Sequence, residues 1–258
     1  MVLADLTAGA VEDAERRAQT RPLAEVEKAA LARPAAKDAR VALAPAAQVK
    51  IIAEVKRASP SRGALAEISD PAHQASLYEI GGASAISVLT EERRFGGSLA
   101  DLEAVTSRVS VPVLRKDFIA TAYQVLEARA AGADLALLIV AGLEPRVLQE
   151  LFTLITELGM TPLVETHSAD ELEAAIDLGS PLIGVNARNL KTLELDRDLF
   201  ARLVDRIPSD AVKIAESAVL EPADVSHYRS AGADVVLIGE ALVTGDPVAT
   251  LKSFLEVG

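Results

Sequence analysis

The sequence contains no cysteine. Disulfides, zinc-thiolate sites and thiol nucleophiles are therefore excluded, which fits a reducing compartment. Long apolar runs are also missing: the longest, Leu135 to Leu143, falls far short of the roughly 20 residues that span a bilayer. The amino terminus, Met1-Val2-Leu3-Ala4-Asp5, has no basic segment leading into an apolar core, so no signal peptide is expected. Basic residues are outnumbered, with 26 Lys and Arg against 38 Asp and Glu and a net charge of −12. Nucleic acid and anionic membrane are poor partners for such a surface, although an anionic small molecule is still suited wherever basic groups gather locally. Neither G-x-G-x-x-G nor a Walker A sequence occurs. His73, His167 and His227 show no metal-ligand spacing and read as surface or helix residues. A cytoplasmic protein is the simplest expectation.

What the chain does contain is alternation. From residue 50 onward, short β-branched runs alternate with longer Ala/Leu/Glu-rich segments, the pattern of a parallel sheet with crossover helices. Strands are predicted at Val49–Val55, Ala85–Leu89, Val111–Leu114, Leu135–Val140, Pro162–Glu165, Leu182–Asn186, Val212–Glu216 and Val235–Ile238. Helices at a period of about 3.6 residues are predicted over Leu99–Val109, Ala122–Ala131, Pro145–Leu158, Ala169–Leu178 and Pro222–Ala231. A glycine turn recurs where helix should pass into strand, in Gly81-Gly82-Ala83-Ser84, Ala131-Gly132-Ala133-Asp134 and Ala231-Gly232-Ala233-Asp234, and fits a repeated helix C-cap. Eight such units match a single (β/α)8 barrel better than a doubly wound sheet. Residues 1–48, broken by Pro22, Pro34 and Pro45, are predicted as a helical amino-terminal extension that caps one barrel end or lies over its active-site face, all within one domain spanning 1–258.

The strand-like run that begins the barrel carries Glu54 and, just past its predicted end, Lys56, two residues apart and so on one face. Each charge loses several kcal/mol on leaving water unless it is paired or used. Barrels keep their sites at the carboxyl ends of the strands. Read in order, those ends carry Glu54 and Lys56, Thr90-Glu91, Arg115-Lys116-Asp117, an apolar fourth end, Glu165-Thr166, Asn186 with Arg188, Glu216-Ser217, and Gly239-Glu240. Lysines held near other cations or in a dry pocket have lowered pKa values and act as general acids, and Glu54, Glu165 and Glu216 suit keeping them charged, stabilising a cation or accepting a proton. The alternative is a Lys-Glu lattice that only fills the barrel top. Leu137 and Ile139 with Phe95 and Phe118 form either a slot for a flat apolar ring or, for the two strand residues, ordinary core. The Glu216-Ser217 and Gly239-Glu240 turns sit where barrels commonly bind phosphate on loop amides.

These residues resemble the indole-3-glycerol phosphate synthase family of tryptophan biosynthesis. The resemblance is carried by Ile52-Ala53-Glu54-Val55-Lys56-Arg57-Ala58-Ser59-Pro60-Ser61, Ile86-Ser87-Val88-Leu89-Thr90-Glu91, Phe95-Gly96-Gly97-Ser98, Val113-Leu114-Arg115-Lys116-Asp117-Phe118, Leu137-Leu138-Ile139-Val140, Val164-Glu165-Thr166-His167, Gly184-Val185-Asn186-Ala187-Arg188-Asn189-Leu190 and Ile214-Ala215-Glu216-Ser217. It implies a cofactor-free carboxy-lyase that closes the indole ring of 1-(2-carboxyphenylamino)-1-deoxyribulose 5-phosphate with loss of carbon dioxide and water. By that likeness Lys116 is the general acid, Glu165 the carboxylate for proton abstraction, and Lys56 and Glu54 help in ring closure and dehydration. Asn186 and Arg188 position the substrate, Ser59 and Pro60 line the pocket, and Ser217, Gly239 and the amide of Glu240 hold the phosphate. Phe95, Phe118, Leu137 and Ile139 then face an aromatic ring. The partner implied is a phosphorylated small molecule; a monomer is expected, with other tryptophan-pathway enzymes left open.

Three residues depart from the family pattern: Ala218 stands where Gly is usual, Ala187 where a second Asn is common, and Leu193 where Phe is common. Ala resists positive φ. Either the loop adopts negative φ at Ala218, or phosphate binding is weakened. The nearest rival, phosphoribosylanthranilate isomerase, relies on a catalytic Cys that this chain lacks. A catalytically silent ligand-binding barrel is disfavoured by the full set of strand-end charges.

Overall fold

The computed structural model describes residues 2–60, 62–190 and 192–257. Ser61 of the quoted motif, Lys191, Met1 and Gly258 lie outside the described residues. Eight parallel strands close into a barrel: β1 (Lys50–Val55), β2 (Ala85–Leu89), β3 (Val113–Lys116), β4 (Leu135–Ile139), β5 (Thr161–Thr166), β6 (Leu182–Asn186), β7 (Val212–Glu216) and β8 (Val235–Ile238). Each strand pairs with its sequence neighbours, and β1 closes the ring against β8, with Lys50 opposite Val235 and Ala53 opposite Ile238. The fold is the expected (β/α)8 barrel.

Three helices, α1 (Val2–Thr20), α2 (Leu23–Leu31) and α3 (Ala39–Leu43), precede the barrel. Outer helices follow the strands: α4 (Pro71–Ile80), α5 (Leu99–Thr106), α6 (Ala122–Ala130), α7 (Pro145–Glu157), α8 (Ala169–Asp177), α9 (Leu199–Leu203), α10 (Pro222–Ser230) and α11 (Pro247–Leu255). Among the described residues, no helix is long and apolar enough to cross a membrane.

The period of two sorts every strand into a face that meets the helices and a face that fills the barrel. Ile51, Ala53, Val88, Leu138, Val164 and Ile183 join the outer cluster, whereas Ile52, Leu114, Leu137, Leu163, Ile214 and Leu237 fill the interior. Burying each such large aliphatic side chain contributes about 1.5–3 kcal/mol. The glycine turns behave alike, since Gly82, Gly132 and Gly232 take φ of 99, 92 and 103°. The aspartates that end two of these turns brace a neighbouring strand: Asp134 Oδ2 accepts from Val113 N at 2.9 Å and Asp234 Oδ2 from Lys213 N at 3.0 Å.

The third strand differs from its expected bounds. Pro112 has no N–H for the ladder, and pairing runs on through Arg115, opposite Val88, and Lys116, opposite Leu89. The last two strand residues are thus the charged ones. Helix α5 also stops short of Val109, whose carbonyl accepts from Lys37 Nζ at 3.0 Å.

The extension takes up both roles foreseen for it. Leu3, Leu6 and Ala10 of α1 pack in one cluster with Phe118 and Ile139 at the carboxyl end of the barrel, while Ala39 and Leu43 of α3 join the interior cluster near the strand starts, where Lys50 Nζ donates to Ala42 O at 2.7 Å. Helix α1 is anchored by Arg17, which donates to both oxygens of the buried Glu127 at 2.6 and 2.9 Å. Arg115, fully buried and facing outward from β3, lies 3.5 Å from that carboxylate and donates to Asp117 at 3.0 Å and to Gln124 O at 2.7 Å.

Candidate active site

Alternation along the strands sends Glu54, Lys116, Glu165, Asn186 and Glu216 inward at the carboxyl end of the barrel, where they line a cleft of about 850 Å³ counting its open mouth. Just past the end of β1, Lys56 Nζ lies 3.3 Å from Glu54 Oε1. The pair fits because residue 239 is glycine: a Cβ there would stand 2.7 Å from Glu54 Oε1 and 3.4 Å from Lys56 Cδ.

Across the mouth, Lys116 Nζ donates to Glu165 Oε2 at 2.8 Å and lies 3.4 Å from Glu216 Oε2. Glu165 Oε1 accepts from Asn186 Nδ2 at 3.1 Å, and Asn186 Oδ1 accepts from Ser217 Oγ at 2.8 Å and from the Arg188 N–H at 2.9 Å. These bonds fix the orientation of the Asn186 amide. Among the described residues, neither oxygen of the buried Glu216 carboxyl accepts a hydrogen bond.

The electrostatics follow from crowding in a dry place. Burial works against the Lys116 ammonium, but the charges of Glu165, Glu216 and Glu54 outweigh it and hold the pKa above the ordinary lysine value. Of the two effects expected, the lowering by a dry pocket and the hold of the surrounding carboxylates, the carboxylates win and keep this lysine protonated. Burial also raises Glu165, yet Lys116 and His167 dominate and hold it well below the usual carboxylate range. Glu216 goes the other way: burial and the neighbouring Glu165 charge push it up to about 8 against the pull of Lys116. Two carboxyls sharing one ammonium are driven apart in acidity, as expected when like charges compete for one cation.

An apolar wall faces these groups. Phe95, Phe118, Leu137 and Ile139 line the cleft, with the two rings 6.1 Å apart and tilted by 41°. Phe95 is set by Glu91, whose Oε2 accepts from the N–H groups of Arg94 and Phe95 at 2.7 and 2.9 Å. Ser59 and Pro60, at the hairpin formed by Ala58–Ser59 with Gly63–Ala64, also line the cleft. Leu137 and Ile139 are both interior core and cleft wall.

A basic corner adjoins the cleft. Lys56, Arg62 and Arg188 border a hollow with Ser217, Ala218 and Gly239, and Glu240 accepts an ion pair from Arg62 at 2.9 Å. Burial, reinforced by Arg62, lowers the Arg188 pKa despite Glu240. Ser217 and Ala218 hold φ of 71 and 58°. The negative-φ alternative for Ala218 is therefore overturned: the loop keeps the left-handed conformation with a residue that disfavours it by about 1–2 kcal/mol.

The structure brings the sequence-predicted residues around one cleft, with Gly239 in the adjoining hollow. It corrects the reading of His167, which is neither a surface nor a helix residue. It follows the end of β5 with its side chain 8% exposed, Nε2 3.2 Å from Glu165 Oε1 and Nδ1 3.1 Å from Glu171 Oε2. Spacing rules for metal ligands gave no reason to weigh a histidine as a partner of a carboxylate. His73 is exposed on α4 and His227 lies on α10, as expected. Leu6, Leu190 and Leu193 also line the cleft. For Leu6, the signal was the spacing of Leu3, Leu6 and Ala10 along one helix face.

The comparisons with known proteins fall on this geometry. A model of the family described as indole-3-glycerol phosphate synthase matches residues 3–254. A protein of that name from Leifsonia xyli subsp. xyli is 70% identical, covering 98% of this chain and 97% of its own, and one from Beutenbergia cavernae is 55% identical, covering 100% and 96%. Among solved structures, an N-acetylmannosamine-6-phosphate 2-epimerase from Clostridium perfringens superposes with a TM-score of 0.60 at 16% identity, over 75% of this chain and 87% of that one, which shows the fold alone. Fold and strand-end charges together define a (β/α)8-barrel enzyme, of the carboxy-lyase class by its relatives. The chain belongs to the indole-3-glycerol phosphate synthase family.

Proposed function

We propose that this chain closes the indole ring of 1-(2-carboxyphenylamino)-1-deoxyribulose 5-phosphate, with the residues of the cleft in the following roles. The aromatic carbon bearing the carboxylate attacks the ribulose carbonyl carbon while Lys116 delivers a proton to the carbonyl oxygen. The new carbon-carbon bond is followed by loss of carbon dioxide, which restores the aromatic ring. The resulting alcohol then leaves as water, and a proton is removed from the adjacent carbon to complete the indole. Glu165 takes that proton and stabilises the positive charge that develops on nitrogen, while Glu54 and Lys56 support closure and dehydration. Asn186 orients Glu165 and, with Arg188, the substrate; Glu216 helps to hold Lys116 beside Glu165.

Phe95, Phe118, Leu137 and Ile139 clasp the aromatic ring, and Ser59 and Pro60 close the rim. The phosphate lies in the basic corner, on Ser217, Gly239 and the Glu240 amide, near Arg188 and Lys56. The observation that carries the reading is the placement of Lys116 Nζ, 2.8 Å from Glu165 and 3.4 Å from Glu216, in a cleft walled by Phe95 and Phe118. Turnover of the carboxyphenylamino-deoxyribulose phosphate, followed by the fluorescence of the indole product, tests it.

As parts of the same proposal, the barrel and its amino-terminal helices act as one domain, the chain works as a cytoplasmic monomer, and no cofactor takes part. The net charge of −12 supports a role away from nucleic acid and anionic membranes.

A further inference from the structure

We infer that His167, as an imidazolium held between Glu171 and Glu165, is a positioning residue for ring closure that keeps Glu165 anionic and aimed at the substrate. This rests on the proposed role of Glu165.

The geometry leaves the ring little choice of state. His167 Nδ1 lies 3.1 Å from Glu171 Oε2, and that same oxygen accepts the His167 backbone N–H at 2.7 Å. Nε2, at the other side of the ring, lies 3.2 Å from Glu165 Oε1. A neutral imidazole has one N–H and one lone pair, so it would aim that lone pair at a carboxylate oxygen whichever tautomer formed; the imidazolium presents a proton to each. Among the described residues Nε2 makes no aligned hydrogen bond, so the ring meets Glu165 as an ion pair at 3.2 Å. Burial disfavours the charged ring, but the two carboxylates outweigh it and raise the pKa to about 9.

The charged groups facing His167 are Glu165 on the strand it follows and Glu171 on α8; Glu165 is in turn paired with Lys116 on β3, which also approaches Glu216 on β7. Glu171 is itself held where α8 begins, its N–H donating to Ser168 Oγ at 3.3 Å. The consequence concerns proton traffic. Lys116 must give its proton to the substrate, and Glu165, 2.8 Å away, is the nearer competitor. A second cation on the far side of Glu165 makes that carboxylate a poor proton trap and continues to balance its charge once Lys116 is neutral.

His167→Gln, which removes the charge and keeps an amide donor, and Glu171→Gln, which removes the outer carboxylate, test this in the full chain. In His167→Gln, kcat falls roughly tenfold or more with KM within about twofold, and the acid limb of the kcat profile moves up by about one pH unit as Glu165 loses a counter-charge. In Glu171→Gln the alkaline loss of activity begins at lower pH. The imidazole proton resonances of wild-type His167, separated from those of His73 and His227 by the spectra of His73→Gln and His227→Gln, titrate well above pH 7. A His167 resonance titrating near the ordinary value of about 6.5, or an acid limb unmoved in a folded His167→Gln, overturns the inference. The resonance decides the matter if the variant fails to fold. Wild-type turnover with such a null result would leave the ring-closure reading standing, whereas absence of wild-type turnover would remove that reading while the titration still reports on the pairing.

Discussion

Gly184 on β6 vacates the space into which Glu216 on β7 leans: a Cβ at residue 184 would collide with Glu216 Oε1. A glycine inside a barrel strand weakens it, and here the weakness makes room for a carboxyl that approaches Lys116 to 3.4 Å. Gly184 opposes Glu165 across one edge and Ile214 across the other, so it sits amid the charged cluster.

Gly184→Ala is therefore expected to displace Glu216 and to lower kcat by roughly tenfold or more. Gly245→Ala is the control, because a Cβ there would have nothing within 4 Å. Equal turnover of the two variants would show that the placement of Glu216 does not matter.

The raised pKa of Glu216 has a consequence for stability. The folded protein binds this proton up to about pH 8, whereas the unfolded chain releases it near the ordinary value of 4.5. The favourable contribution of the protonated carboxyl is thus fully present below about pH 4.5 and is lost as pH rises through about 8. Glu216→Gln, a permanent analogue of the protonated form, is expected to gain thermal stability over wild type progressively across that window and to level off above it. A melting-temperature difference independent of pH would contradict this.

The strained loop after β7 yields a third expectation. Ala218 at φ 58° carries left-handed strain of about 1–2 kcal/mol, part of which Gly would give back as chain entropy. Ala218→Gly is expected to stabilise the protein by about 0.5–1 kcal/mol. It should also change KM more than kcat, since it borders the basic corner and not the Lys116 cluster. A destabilised variant, or reduced kcat at unchanged KM, would argue against this account.

Much of this was legible in the chain because the barrel repeats its grammar. Glycine turns punctuated the units, and the period of two placed Glu54, Lys56, Glu165 and Glu216 on one interior face without any knowledge of their partners. What was not legible depends on distance in space. That Glu165 pairs with Lys116, 49 positions earlier, or that Glu54 leans on the room left by Gly239, is set by barrel closure. His167 was misread because a lone histidine after a strand has no signature; only the carboxylates on both sides of its ring give it one. For Lys116 the sequence offered both burial, which lowers the pKa, and carboxylates that keep it charged; which effect wins is set by the convergence of those carboxylates from β1, β5 and β7.

The most direct test of the whole account is the turnover of carboxyphenylamino-deoxyribulose phosphate by the wild-type chain and by Lys116→Ala, with circular dichroism and thermal melting recorded on both. The expected result is indoleglycerol phosphate formation by wild type and a loss of roughly a thousandfold or more in kcat for a variant that still folds, since the lysine serves as general acid and the barrel strands do not depend on it. Near wild-type turnover by Lys116→Ala would contradict the assignment.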